Sequence, residues 1–454
     1  MSSATVFLAA MPGSSGTLNI GAPAGQPPVA PGTLIADRVS FANGTGELVF
    51  NHTSRGYRFS PAITGAGSIT LRSGSTILAG DMSAFSGSIQ VEPTPRQVAG
   101  YTTPAAQQAT VQALGDQQMV MAVQSRATPH QLLGLTRPIQ QGSYVFVGGI
   151  LGSSAVMVGG QVSLGQATLI GGISQGAQDD GDLTQSTDPT LAAAARFEFD
   201  DPVALAGYAL HPFAEIGGWV TPDETLTRTR VYDAGLGLVS GHGSSDATAW
   251  GEYARAGLIW KIDDKNQLAG FAEFGGQGVR FGRYTEAYGQ NNPFPATVDS
   301  GTLSFGVLRF GASWTADLQS ALGQPWTLTL AGALARPFSI DSGLSVTEAG
   351  LDPMTDSPLG PTWGELGAQV DAQLTKQLSV SLSMIGCTGS HDLGSTFHGG
   401  LALNLTRPAR CLAALQRYNS RDVPSWSQCD ASLRLAKHHA RRALDAAQPP
   451  DREP

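Results

Sequence analysis

The chain has 454 residues, a net charge of −9 and 57 glycines, with only 14% charged residues against roughly a quarter in ordinary soluble domains. The negative balance argues against nucleic acid as a main partner. Three cysteines (Cys387, Cys411 and Cys429) exclude a disulfide framework and match no zinc spacing, leaving a Cys411–Cys429 bridge and free thiols both open.

No run approaches the roughly 20 apolar residues of a membrane helix. Residues 6–11 are too short for a signal peptide, and no Lys or Arg precedes them. An exported chain needs such a peptide, so the sequence reads as internal to a longer product or as a remnant.

Residues 1–32, rich in Gly, Ser, Ala and Pro, read as a disordered leader or linker. Between 33 and 100, short β-prone pieces recur about every ten residues. Examples are Gly46-Glu47-Leu48-Val49-Phe50, Ser68-Ile69-Thr70-Leu71 and Ser88-Ile89-Gln90-Val91, with turn signals at Asn43-Gly44 and Ser73-Gly74 between them. Such spacing predicts stacked parallel rungs, a β-helical stub too short to stand alone. Residues 101–135 hold a linker and the one good helix before the C-terminus, at 104–126. Pro104 suits its first turn, and its Gln- and Ala-rich surface suits a wet, narrow surrounding, with a surface linker helix equally open.

From 136 to 407 one unit repeats: about ten alternating residues, then a turn. The clearest strand carries Leu366, Ala368, Val370, Ala372 and Leu374 on one face and Glu365, Gln369, Asp371 and Gln373 on the other. Segments fall near 142–151, 153–164, 167–176, 189–200, 206–220, 225–238, 247–261, 265–280, 300–316, 324–338, 361–375, 377–386 and 395–406. Bacterial barrels hold even strand numbers, so thirteen segments imply twelve strands, with 225–238 the weakest. Tight turns alternate with long polar loops at 177–188, 221–224, 286–299 and 339–360. Trp219, Trp250, Trp260, Trp314, Trp326 and Trp363 fall near strand ends, where an aromatic girdle would sit. The fold expected is all-β: a 12-stranded antiparallel transmembrane β-barrel with a pore-spanning α-helix, preceded by a short β-helix stub. A soluble β-sandwich is the competing arrangement. Strand number, strand length and the scarcity of Lys on the wet faces disfavour it.

No catalytic, cofactor or metal constellation emerges, so the chain does not read as an enzyme. Gly172-Ile173-Ser174-Gln175-Gly176 matches the serine-hydrolase elbow but lies in a strand with no helix after it. His391, His398, His438 and His439 have no ligand spacing.

This order of parts resembles the C-terminal half of type V secretion autotransporters over roughly residues 35–406. The stub pieces Gly46-Glu47-Leu48-Val49-Phe50-Asn51-His52-Thr53 and Gly74-Ser75-Thr76-Ile77-Leu78-Ala79-Gly80-Asp81 are similar to passenger ends. Pro212-Phe213-Ala214-Glu215-Ile216-Gly217-Gly218-Trp219, Tyr253-Ala254-Arg255-Ala256-Gly257 and Val307-Leu308-Arg309-Phe310-Gly311-Ala312 look like family strand pieces. The resemblance implies an outer-membrane translocator that exports and anchors an N-terminal β-helical passenger, with an autochaperone-like stem at 33–100. The alternative is a surface adhesin whose main passenger lies outside this sequence.

Implied partners are outer-membrane lipid, the barrel-assembly machinery and the chain's own passenger, with the protein acting as a monomer. Inward-facing Arg196, Glu198, Arg255, Glu273, Arg309, Glu365 and Asp371 would line the pore and contact the helix. Each reads first as ordinary solvation of a wet lumen. Family barrels finish on an aromatic residue, whereas here Gly400-Leu401-Ala402-Leu403-Asn404-Leu405 starts like such a strand but Thr406-Arg407-Pro408 follows. A basic tail then runs over 408–454, as a frameshift or a periplasmic extension would produce.

Overall fold

The computed structural model describes residues 4–92, 97–124, 143–151, 155–179, 183–235, 237–319, 325–341, 343–348, 354–355, 362–375, 377–389 and 395–406. The tail at 408–454, residues 125–135, and Cys411 and Cys429 lie outside them.

The N-terminal part is a coil of parallel strands: β1 (Thr5–Leu8), β2 (Ser15–Gly21), β3 (Arg38–Phe41), β4 (Thr45–Phe59), β5 (Ala62–Thr64), β6 (Ser68–Leu78), β7 (Ser88–Val91) and β8 (Ala99–Thr102). One parallel sheet runs β1-β3-β5; the other runs β2-β4-β6-β7, with β8 also on β6. Like residues stack between turns: Leu18, Leu48, Ile69 and Ile89 form one column, and Ile20, Phe50, Leu71 and Val91 the next. These columns build a dry core.

The expected disordered leader at 1–32 is therefore corrected. Val6 and Leu8 stack on Val39 and Phe41, and Leu18 and Ile20 on Leu48 and Phe50. Four apolar residues in the right phase outweigh the loop-like composition around them.

Within this coil His52 is fully buried. Its Nδ1 accepts the Ser54 N–H at 3.2 Å, so the ring proton sits on Nε2, 3.0 Å from Thr76 Oγ1. Burial pushes its pKa down from the ordinary 6.5 to about 4. The unfolded chain then binds the extra proton first as pH falls. Stability is full above about pH 6.5 and drains toward pH 4, by on the order of 2–3 kcal/mol. Limited proteolysis of residues 4–92 is expected to speed up across that window, and His52→Gln to flatten the dependence.

Helix α1 (Pro104–Gln124) follows, then the barrel strands: β9 (Tyr144–Leu151), β10 (Ala155–Leu164), β11 (Ala167–Asp179), β12 (Leu183–Glu198), β13 (Val203–Leu205) and β14 (Tyr208–Asp233). Next come β15 (Leu238–Lys261), β16 (Asn266–Phe281), β17 (Tyr284–Thr285), β18 (Ala296–Val298), β19 (Gly301–Gln319) and β20 (Pro325–Asp341). The last are β21 (Ser345–Glu348), β22 (Met354–Thr355), β23 (Trp363–Gln373), β24 (Leu378–Gly389) and β25 (Ser395–Thr406).

Antiparallel pairing runs β12-β11-β10-β9-β25-β24-β23-β20-β19-β16-β15-β14, and β12 pairs β14 to close the ring. Twelve strands form the wall, as expected. The segments expected at 206–220 and 225–238 are one strand, β14, interrupted by a bulge between Thr221 and Glu224. Pro222 lacks an N–H for the ladder, and its sequence looks like a loop because the bulge is one. The 177–188 loop is likewise mostly strand.

Side-chain polarity inverts along these strands. On the inner half of β19, Leu308 and Phe310 point out while Arg309 points in. On the outer half, Leu303, Phe305 and Val307 are buried inside, and Ser304 lies on the outward face. On β14 the same change falls between outward Ile216 and Val220 and outward Thr225, Thr227 and Thr229. The inner half is a cylinder in hydrocarbon; the outer half is a small water-facing barrel with its own dry core.

Candidate functional site in the barrel interior

Five strands carry, at directly paired positions, Arg196, Glu215, Arg255, Glu273 and Arg309. Charge alternates along the row, all five side chains are buried, and opposite charges across adjacent strands attract. Arg255 donates to Glu273 Oε2 through Nη2 at 2.6 Å and Nε at 3.0 Å. Glu273 Oε1 accepts Arg309 Nη1 at 3.0 Å. The Tyr253 hydroxyl donates to Glu215 at 2.8 Å, and Arg196 lies 3.6 Å from the same carboxylate.

In register the row passes through Ala335 to Trp363, and two positions further along that strand Glu365 accepts both Arg309 Nε and Trp363 Nε1 at 2.9 Å. Ring faces complete the desolvated shell: Phe213 lies under Arg196 at 4.0 Å and Phe271 under Arg255 at 4.3 Å.

The structure thus gathers Arg196, Arg255, Glu273, Arg309 and Glu365 into one belt. Glu198 sits at its edge, bonded to Arg196 at 2.8 Å and half-exposed. Asp371 stands apart, accepting from Gln369 and Ser381, with Asn404 Nδ2 donating to Ser381 at 2.6 Å. Plain solvation of a wet lumen does not describe Arg196, Arg255, Glu273 and Arg309, because each is buried and has a charged partner. Sequence reading missed Glu215, although strand alternation puts it on the same face as Phe213 and Trp219. Trp219 and Trp363 are themselves buried inside rather than placed in the girdle expected of them.

Above the belt much of the bore is apolar, although buried Glu224 and Arg228 of β14 also face it. Leu226, Ala249, Val279, Phe305, Val307 and Trp363 form a cluster with Val111 and Leu114 of α1. Leu344 and Val346, from the 342–355 loop, and Ala296 and Val298 join them. The two long loops pair with each other as a small sheet, β17-β18-β21-β22, inside the outer mouth. The wet surrounding expected for the helix is corrected accordingly: one turn of α1 is held in a dry stopper. Thr103 caps the helix, its Oγ1 accepting the Ala106 N–H at 3.2 Å, and Pro104 opens it.

At the outer mouth the tip of β14–β15 meets the coil. Tyr101 N donates to Ala234 O at 3.0 Å, and Ile77 packs with Tyr232, Ala234 and Phe294. Beneath, Glu286 accepts Arg230 (Nε 3.0 Å, Nη2 2.7 Å), Asn292 Nδ2 and the Ala296 N–H, both at 3.0 Å. Arg228 and Arg230 were invisible as site residues because they fall in the segment read as the weakest strand.

The chain matches the family model described as autotransporter beta-domain over residues 140–384. Among solved structures it is similar to the translocator domain of the autotransporter NalP from Neisseria meningitidis. That match has 15% identity and a TM-score of 0.45, covering 66% of this chain and 100% of that one. It is also similar to the beta domain of the Bordetella autotransporter BrkA, with 15% identity and a TM-score of 0.34, covering 58% and 98%. No curated protein matches the chain. The family model covers more than half of the sequence and coincides with a closed twelve-stranded barrel holding one helix. The chain belongs to the autotransporter beta-domain family, as a translocator barrel of the bacterial outer membrane.

Proposed function

We propose that the barrel exports and then anchors the parallel coil as the last part of a passenger, with α1 left in the bore as tether and plug. One observation carries this reading: α1 lies inside a closed barrel and continues through Thr103 and β8 into a coil seated on the outer mouth. A helix satisfies its own backbone in a bore that offers it few partners. Folding of the coil against the β14–β15 tip releases free energy on the far side, where it draws the chain outward. The belt residues Arg196, Glu198, Arg255, Glu273, Arg309 and Glu365, together with Asp371, line the path.

One chain closes the ring through the β9–β25 pair, which supports a monomer. Insertion through that seam makes the barrel-assembly machinery its partner. The paired charges serve register and transport, and no chemistry is assigned to them.

The test is conductance. Deleting residues 104–126 is expected to raise ion conductance of the reconstituted barrel in planar bilayers. Conductance equal to that of the full chain refutes the plug. Surface proteolysis of intact cells is expected to remove the coil and spare the barrel.

A further inference from the structure

At the barrel end opposite the coil, the β12–β14 hairpin does not stop at the wall. It runs on as β13 paired to residues 208–210 of β14, and turns at Ala206 and Gly207. Both turn residues have positive φ, 51° and 85°, the two-residue reversal that suits strand twist. From 202 to 210 the sequence holds no charge: Pro202-Val203-Ala204-Leu205-Ala206-Gly207-Tyr208-Ala209-Leu210. Other described turns at this end are polar, Gly165-Gln166 and Ile262-Asp263-Asp264-Lys265 among them.

The ribbon is two-sided. Val203 pairs with Leu210 and Leu205 with Tyr208 on one face, whereas Ala204 pairs with Ala209 on the other. The bulky face is the one that carries Ile216 and Trp260, the outward face of the barrel. Val203, Leu205 and Tyr208 are 52%, 56% and 51% exposed, comparable to Ile216 at 64% in the lipid-facing belt. Tyr208 packs at a tilt against Trp260 with ring centroids 4.7 Å apart, and Phe197 meets Phe199 edge to face at 4.9 Å, so the aromatic rings cluster here.

Depth follows from strand geometry. A strand tilted about 40° advances about 2.5 Å per residue along the membrane normal, so a band about 25 Å tall takes about ten residues. Outward polarity on β14 changes just beyond Val220. Ten residues back is Leu210, which leaves Leu205 and Tyr208 immediately outside the hydrocarbon. That is the headgroup layer, where Tyr and Trp place a ring in apolar surroundings and a polar edge in water.

We infer that the outward face of the hairpin 202–210 is a lipid contact, lying against the headgroup layer of the leaflet on the side away from the coil. The naming of that leaflet as periplasmic rests on the orientation proposed above; the contact itself rests on continuity with the lipid-facing wall. A water-exposed hairpin has no reason to place every bulky side chain on the membrane side and alanine on the other.

The experiment uses the full chain with Cys387, Cys411 and Cys429 replaced by serine, reconstituted in vesicles of phosphatidylethanolamine and phosphatidylglycerol. A nitroxide is attached at Leu205→Cys, with Ile216→Cys and Asp264→Cys as mid-membrane and aqueous references. Relaxation by oxygen and by a water-soluble nickel chelate is then compared. Leu205 is expected to favour oxygen strongly over nickel relative to Asp264, with a smaller margin than Ile216. A reading equal to Asp264 overturns the inference while leaving the barrel intact. Shielding from both reagents also overturns it, because a protein partner or second copy then covers the face. A water-like reading at Ile216 as well removes the membrane barrel and this contact together.

Discussion

Replacing Glu273 by alanine is expected to lower barrel stability by about 3–5 kcal/mol, the usual cost of stripping one partner from a buried ion pair. Glu273 is 1% exposed and holds Arg255 on one side and Arg309 on the other, so its loss takes a carboxylate from two buried guanidinium groups at once and leaves Arg309 to Glu365. Because folded barrels migrate faster than heated ones on gels, the temperature at which the fast band disappears reports the change. Arg309→Met in the same chain is expected to recover part of it, since one stranded charge is then gone. An unaltered midpoint in the single variant would show that the belt is incidental to stability.

Glu286→Ala is expected to act at the other end, at similar cost but locally. Its carboxylate is the common acceptor for Arg230, Asn292 and the Ala296 N–H, and Arg230 also donates to Phe294 O. Without it the 284–298 loop loses its fold, and with it Pro293 and Phe294, which meet Ser75 and Ile77 of the coil. The fast-migrating barrel band should persist, while protease begins to cut at 284–298 and then in residues 4–92. Resistance equal to that of the parent chain would mean the coil holds its place without this network.

Strand positions were legible because each face keeps one polarity for about ten residues. The alternation of Leu366, Ala368 and Val370 against Glu365, Gln369 and Asp371 identified an outer and an inner face directly. Reading stopped where the rule inverts. On β19, Phe305 and Arg309 share the inner face, and on β14 a bulge shifts the phase between Val220 and Glu224.

One wet side throughout would place the charges correctly but leave no room for the stopper around Val111 and Leu114. The charge belt was half visible: its members could be picked out singly, yet their pairing depends on register between residues up to 56 positions apart, which no local pattern encodes. The leader failed for a related reason. Thr5–Leu8 is too short to announce itself and is a strand only because β3 offers it a parallel edge.

The inversion of polarity along single strands has a consequence for how little slack the chain tolerates. One ribbon is written for two solvents, oil around its lower half and water around its upper. Sliding β19 by one position would push the Arg309 guanidinium into hydrocarbon below and turn Phe305 to the aqueous surface above. Both errors add, so the strand is pinned from two ends by opposite demands.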